Sequence, residues 1–189
     1  MADKVLGAGE YGEVYLATQT NVMVRGSSKL VTKKRAVKML KADANKDAKA
    51  EFIRECQMMV KCDGHENLVR MVGVAVQQAP WLCVLEYMDY GDLRSVLKVA
   101  DDKGLKFSPG EQICISKQLS SGCAWIAKSG LIHMDLAARN VLIGEGNKVK
   151  VADFGMTQEM GEGGKLKLQG NVRLAIKWSA MECLMANTF

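Results

Sequence analysis

The chain has 189 residues, 48% hydrophobic and 25% charged, with a net charge of +5. That length buries a sizeable core in one domain or two small lobes. The mild charge clusters only at Lys33-Lys34-Arg35, which excludes the dense basic stripe of a nucleic-acid surface, and no apolar run approaches the ~20 residues of a membrane span.

Met1-Ala2-Asp3-Lys4 lacks the apolar stretch of a signal peptide. Val5-Leu6 leads into Gly7-Ala8-Gly9-Glu10-Tyr11-Gly12, and Glu13 to Ala17 has strand composition. Residues 19–31 are polar and Gly/Ser-bearing, which predicts a hairpin loop before a strand from Arg35 to Leu40. Residues 45–62 turn helical. Asn45 is a capping residue, and Phe52, Cys56, Met59 and Val60 are expected on one apolar face. Strands from Leu68 to Val76 and from Trp81 to Glu86 follow. The short linker from Tyr87 to Gly91 divides a strand-rich part (1–86) from a mostly helical one (92–189).

In that second part, Ser108-Pro109-Gly110-Glu111 is a capping box with Pro at the first helical position. Ile115, Leu119, Cys123 and Ile126 line one face of the helix it opens, which runs to about Lys128. Val141-Leu142-Ile143 and Val149-Lys150-Val151 flank Gly144-Glu145-Gly146-Asn147, a hairpin signal. Beyond Asp153 the chain is rich in Gly and Lys, with no period until Ile176. It reads as a long mobile loop of the kind that carries function. The cysteines at 56, 62, 83, 114, 123 and 183 form no C-x-x-C pair and read as reduced thiols. His65 and His133 are too far apart in sequence to suggest a zinc site.

Three local patterns carry chemistry. Gly7-x-Gly9-x-x-Gly12-x-Val14 joins two strands and precedes no helix. That argues against a Rossmann site and fits a hairpin whose backbone N–H groups lie over a triphosphate. Lys38 follows Ala36-Val37 mid-strand and shares a face with Ala36. Glu55 or Glu51 on the next helix could meet it. The third pattern is His133-Met134-Asp135-Leu136-Ala137-Ala138-Arg139-Asn140, with Asp153-Phe154-Gly155 after it. Phosphoryl transfer needs such a set: one carboxylate to deprotonate a hydroxyl, and an Asn and a second carboxylate to hold Mg²⁺.

The order of glycine loop, Ala-x-Lys, helix Glu, His-x-Asp-Leu-x-x-x-Asn loop and Asp-Phe-Gly resembles the protein kinases over nearly the whole chain. Ala137-Ala138-Arg139 is similar to the tyrosine-kinase branch, as is Leu174-Ala175-Ile176-Lys177-Trp178. The resemblance implies an α+β, bilobal fold and transfer of the γ-phosphoryl of ATP, with Mg²⁺, to a protein tyrosine. It favours Glu55 as the partner of Lys38. It implies that Asp135 is the catalytic base, that Arg139 approaches base and acceptor, and that Asn140 and Asp153 bind the metal. Gly7, Gly9, Gly12 and Lys38 would contact phosphates. Glu86 and Met88 would offer backbone groups to the adenine, with Leu85 behind it and Leu6, Val14, Ala36 and Leu142 on its faces. Met59, Met71, His133 and Phe154 would stack as a hydrophobic spine. The setting implied is cytoplasmic, in a soluble enzyme or in the cytoplasmic part of a membrane receptor.

The chain departs from the family pattern at several positions. Met134 stands where the family has Arg, Ala175 replaces a Pro, and Ala180-Met181-Glu182 replaces Ala-Pro-Glu. The tyrosines are Tyr11, Tyr15, Tyr87 and Tyr90, none after Asp153. Loop tyrosine phosphorylation is therefore not expected to be the switch. The family pattern continues past Phe189 with further helices, so the large lobe reads as truncated. The alternative to an enzyme is a pseudokinase, a nucleotide-binding or docking module without turnover.

Overall fold

Strand-forming residues on both sides of one helix build the first sheet. The computed structural model describes residues 2–8, 12–23, 30–168, 174–186 and 188–189. Strands β1 (Ala2–Ala8), β2 (Gly12–Met23) and β3 (Leu30–Leu40) precede helix α1 (Lys46–Lys61); β4 (Met71–Ala75) and β5 (Leu82–Glu86) follow it. All five pair antiparallel in the order β1-β2-β3-β5-β4. Directly opposed residues share a face. The registers Gly7↔Val14, Val14↔Lys38 and Lys38↔Cys83 thus set four residues in one transverse row.

Helix α1 starts where Asn45 Oδ1 accepts the Ala48 N–H at 2.8 Å. Asp47 in the first turn and Lys61 in the last complement its dipole. Ala48, Phe52 and Cys56 pack with Leu40 of β3 and Cys83 of β5, and Met71, Val76, Trp81 and Leu85 close around them. Burying Phe52 alone is worth roughly 1.5–3 kcal/mol. Val60 is not on this face: it is 62% exposed. Eight residues turn a helix about 80° past the starting direction, so Val60 points away from the face that Phe52 defines. Met58, Met59 and Cys62 are buried in its place.

The chain forms two compact units, Met1–Cys56 with Arg70–Tyr87, and Gln57–Val69 with Met88–Phe189. In the second, β6 (Gly91–Asp92) leads into α2 (Leu93–Asp102), then α3 (Pro109–Lys128), β7 (Leu131–Ile132), β8 (Val141–Gly144), β9 (Lys148–Val151), β10 (Gln158–Glu159) and α4 (Met181–Ala186). Helix α2 was not anticipated; Asp92 caps it by accepting the Ser95 N–H at 2.9 Å. Ser108 and Glu111 complete the capping box of α3. Ile126 of α3 is buried, and Gly122 lies so close to Asn67 that a Cβ there would come within 2.8 Å of its carbonyl oxygen. Asn67 Nδ2 donates to Val149 O and Gln118 Oε1, which joins α3 to β9. Strands β8 and β9 pair as a hairpin, and Val141, Val149 and Val151 bury its inner side.

Three sequence expectations need correction. The stretch 19–31 is not one loop: β2 continues to Met23 and β3 begins at Leu30, because Val22↔Val31 and Met23↔Leu30 extend the ladder. The strand expected from Leu68 starts at Met71; Leu68 instead bridges Val151, both of them in the second unit. The segment after Asp153 is not structureless. Gln158–Glu159 pairs with Leu131–Ile132, and a 3-10 turn at Ile176–Trp178 precedes α4. Backbone pairing with a distant strand leaves no local periodicity to read.

Gly12 owes its place to packing. A Cβ on it would lie 2.3 Å from Met39 O on the paired strand, whereas one on Gly7 would meet nothing within 4 Å. Gly12→Ala is expected to force β2 from β3, cost about 1–3 kcal/mol and lower the thermal midpoint by about 5 °C. Gly7→Ala should leave it unchanged. Differential scanning fluorimetry on both variants checks this, and equal midpoints would contradict it.

Candidate active site

In the first unit the sheet delivers a cation to the helix. Lys38 occupies the middle of the transverse row, and its Nζ meets Glu55 Oε2 at 2.5 Å. The Glu55 side chain is only 12% exposed, while Glu51, one turn earlier, is solvent-exposed. A largely desolvated carboxylate fixes the ammonium more firmly than a surface partner would. Val14 and Ala36 are half-buried on the same sheet; Leu6 and Gly7 are exposed. Ala36 opposes Leu85 across the β3–β5 ladder. Glu86 is pinned by its neighbour Arg70: its N–H donates to Arg70 O at 3.0 Å, and its carboxylate accepts the Arg70 N–H at 2.7 Å. Gly9 lies outside the described residues. Met71 sits in this unit at the start of β4.

In the second unit the loop between β7 and β8 gathers the remaining groups. Asp135 is buried. Arg139 donates to its Oδ1, and Asn140 Nδ2 donates to its Oδ2 at 2.6 Å and to its backbone carbonyl at 2.8 Å. The Arg139 guanidinium lies over the Trp178 ring, 4.2 Å from its centroid. Sequence reasoning named Trp178 only as part of a segment; its role as a platform for Arg139 needed the chain to fold back. Ala152 N–H donates to Asn140 O at 2.8 Å, which ties the residue before Asp153 to this loop. Asp153 is exposed, with φ of 61°, and its Oδ1 accepts the Gly155 N–H at 3.3 Å. Phe154 is fully buried, its ring 5.4 Å from that of His133. Met59 is buried in this unit as well.

Met134 also has a left-handed backbone, φ of 62°, with its side chain buried. A non-glycine residue pays about 1–2 kcal/mol for that conformation. It turns the chain so that His133 and Asp135 both face inward. Met88 is buried, and a Cβ on Gly144 would strike its methyl group at 2.9 Å; Leu142 is half-buried in β8. Asn140 uses its amide nitrogen on Asp135, which leaves Oδ1 as the oxygen it could offer a metal. Together with the exposed Asp153 carboxylate it is a hard-oxygen donor set, which suits Mg²⁺. Among the described residues no helix is long and apolar enough to cross a membrane.

A family model described as protein tyrosine and serine/threonine kinase matches residues 1–189. The chain is similar to the epithelial discoidin domain-containing receptor 1 of Homo sapiens, Pan troglodytes and Mus musculus. Each is 32% identical over 209 residues that cover 97% of this chain. The chain spans 22–23% of the length of these curated relatives.

His133 makes the loop sensitive to acid. Its Nδ1 accepts the Asp135 N–H at 3.3 Å and its Nε2 faces Ala152 O at 3.0 Å, so the neutral Nε2–H form satisfies both. Burial holds its pKa below the ordinary histidine value; the Ala152 carbonyl and the carboxylates of Asp153 and Asp135 oppose that shift without cancelling it. A depressed pKa means that the unfolded chain binds the proton first. The stability it contributes is complete above about pH 6.5 and falls as pH drops through the lower folded value. Urea unfolding from pH 7.5 to pH 5 is expected to show that loss. In His133→Phe the slope over this window should flatten; an unchanged slope would refute the assignment.

Proposed function

The chain belongs to the protein tyrosine and serine/threonine kinase family, and from that membership we propose that it transfers the γ-phosphoryl of ATP to a protein tyrosine. The observation that carries this reading is the buried Asp135 carboxylate, oriented by Asn140 on one oxygen and Arg139 on the other. Asp135 accepts the proton of the attacking hydroxyl as the phosphoryl group transfers in line. Lys38, held by Glu55, carries a fixed positive charge for the α- and β-phosphates. Gly7, Gly9 and Gly12 let backbone N–H groups approach the phosphates. Glu86 and Met88 bind the adenine through backbone groups, Leu85 limits the space behind it, and Leu6, Val14, Ala36 and Leu142 cover its faces. Asn140 and Asp153 would hold Mg²⁺, which when bound neutralises phosphate charge.

Tyrosine as the acceptor is supported by Ala137-Ala138-Arg139 and by the placement of Arg139 between Asp135 and the Trp178 ring. A phenol reaches farther than a serine hydroxyl, and a guanidinium beside the base offers it a donor. The relatives are named as receptors, which supports a membrane-receptor parent with this chain on the cytoplasmic side.

With Mg²⁺–ATP and a peptide bearing one Tyr and one Ser, label is expected on Tyr alone. Asp135→Asn should lower kcat by roughly 10²–10⁴ while nucleotide affinity stays near wild type. Nucleotide binding without transfer in the wild-type protein would replace the enzyme reading with a binding module, and label on Ser would overturn the acceptor. Regulation follows from Met134 and from the lack of tyrosine after Asp153. Phosphatase treatment is expected to leave the rate unchanged; recovery of a lost rate by loop phosphorylation would show a conventional switch.

A further inference from the structure

Cys83 is the direct cross-strand partner of Lys38, so both project from the same face of the sheet. On the helix opposite, Cys56 follows Glu55 in sequence. Lys38 reaches Glu55, and beside that pair Cys83 of the sheet and Cys56 of the helix are buried in one cluster. An ion pair and a pair of buried cysteines, each with one member on the sheet and one on the helix, therefore stand side by side. Both cysteines belong to the same core cluster, with Leu40, Ala48 and Phe52 around them.

The other cysteines are differently placed. Cys62 spends its thiol on Met58 O at 3.2 Å, and burial pushes it up to about 11. Cys114 is exposed, and Gln118 donates to its sulfur. Burial raises the Cys123 thiol.

We propose that Cys56 and Cys83 are an oxidative modification site, a dithiol that hydrogen peroxide closes to a disulfide clamping α1 to β5 beside the Lys38–Glu55 pair. The neighbouring Cys83 thiol holds the Cys56 thiol below its ordinary value, while Cys83 is pushed up, which makes Cys56 the attacking sulfur. The Cys56 thiolate takes the OH group of the peroxide and becomes a sulfenic acid; the departing hydroxide takes up a proton and leaves as water. The Cys83 sulfur then forms the S–S bond, and its proton goes out with the sulfenic OH as a second water. Two thiols and one peroxide give one disulfide and two waters. Cys56 and Cys83 are 8% and 3% exposed, so a small oxidant is required and larger disulfides are excluded by size. The reaction starts from the arrangement in which the ion pair is made, so the bond preserves that arrangement.

The test treats the reduced protein with hydrogen peroxide and maps it by mass spectrometry without reduction. The expected result is a loss of two hydrogens, a crosslinked peptide pair holding Cys56 and Cys83, and reversal by dithiothreitol. The thermal midpoint should rise by several degrees on oxidation. Cys83→Ala should lose both the crosslink and the rise. If that variant does not fold, the wild-type map and melting shift decide alone. Separate Cys56 and Cys83 peptides under peroxide that oxidises exposed Cys114 would overturn the site. A crosslink with an unchanged or lower midpoint would overturn the clamp. Neither readout involves phosphoryl transfer, so failure of the proposed kinase activity is distinguishable from failure here.

Discussion

A buried carboxylate sets the terms for the second unit. Asp135 is removed from water, and an ionised group there is costly unless it is paired and hydrogen-bonded. The loop around it is an answer to that cost. Arg139 supplies the opposite charge, Asn140 occupies the other oxygen and the backbone carbonyl, and His133 receives the backbone N–H. Each of these partners is in turn held by something rigid. Arg139 lies on Trp178, Asn140 is bonded through its carbonyl to Ala152, and His133 packs at a tilt against buried Phe154. The geometry that would serve the base proposed at Asp135 is thus the same geometry that makes its burial tolerable.

The first unit solves a related problem across two elements. A strand lysine and a helix glutamate satisfy each other only if α1 keeps its rotation and distance relative to β3. The apolar core of Leu40, Ala48, Phe52, Cys56 and Cys83 fixes both, since these residues come from the same strands and the same helix. Packing does the holding, and the ion pair reports whether the packing is right. Gly12 belongs to this scheme: its missing side chain lets β2 approach Met39, next to Lys38 on β3, so a glycine in a phosphate-loop pattern also serves the sheet.

What the sequence made legible was local chemistry. The Asn45 cap, the Ser108–Glu111 box and the hairpin around Gly144–Asn147 are decided by residues within a few positions of one another, and they form where the sequence puts them. Fold class was legible because several motifs stand in one order along the chain. Long-range pairings were not. Strand β10 exists because residues 131 and 132 offer an edge to it, and nothing in Gln158–Glu159 announces a strand. Val60 was misplaced because one apolar residue beside Met59 looks like an extension of the stripe, although helical geometry turns it aside. Glu55 and Glu51 were separable only by the family pattern. The exposure of Glu51 gives the physical distinction that spacing could not.

Met134 shows how one substitution changes what can hold a segment in place. A phosphate and an arginine order a loop through charge, an interaction that appears and disappears with the modification. Here the corresponding side chain is apolar and buried on a left-handed backbone, where it contributes packing and no charge. The segment after Asp153 is tied by other means. Thr157 is fully buried and its N–H bonds to Phe154 O at 3.0 Å. Strand β10 pairs with β7, Met160 N–H reaches Gly130 O at 2.8 Å, and Leu166 and Phe189 exchange backbone bonds. The Lys61–Glu159 ion pair on its surface is exposed on both sides, and such pairs contribute about 1 kcal/mol or less. Backbone pairing and burial dominate this ordering, and neither depends on a removable charge. The described residues of this segment are thus ordered by folding, which is in keeping with the proposal that no loop phosphotyrosine toggles them.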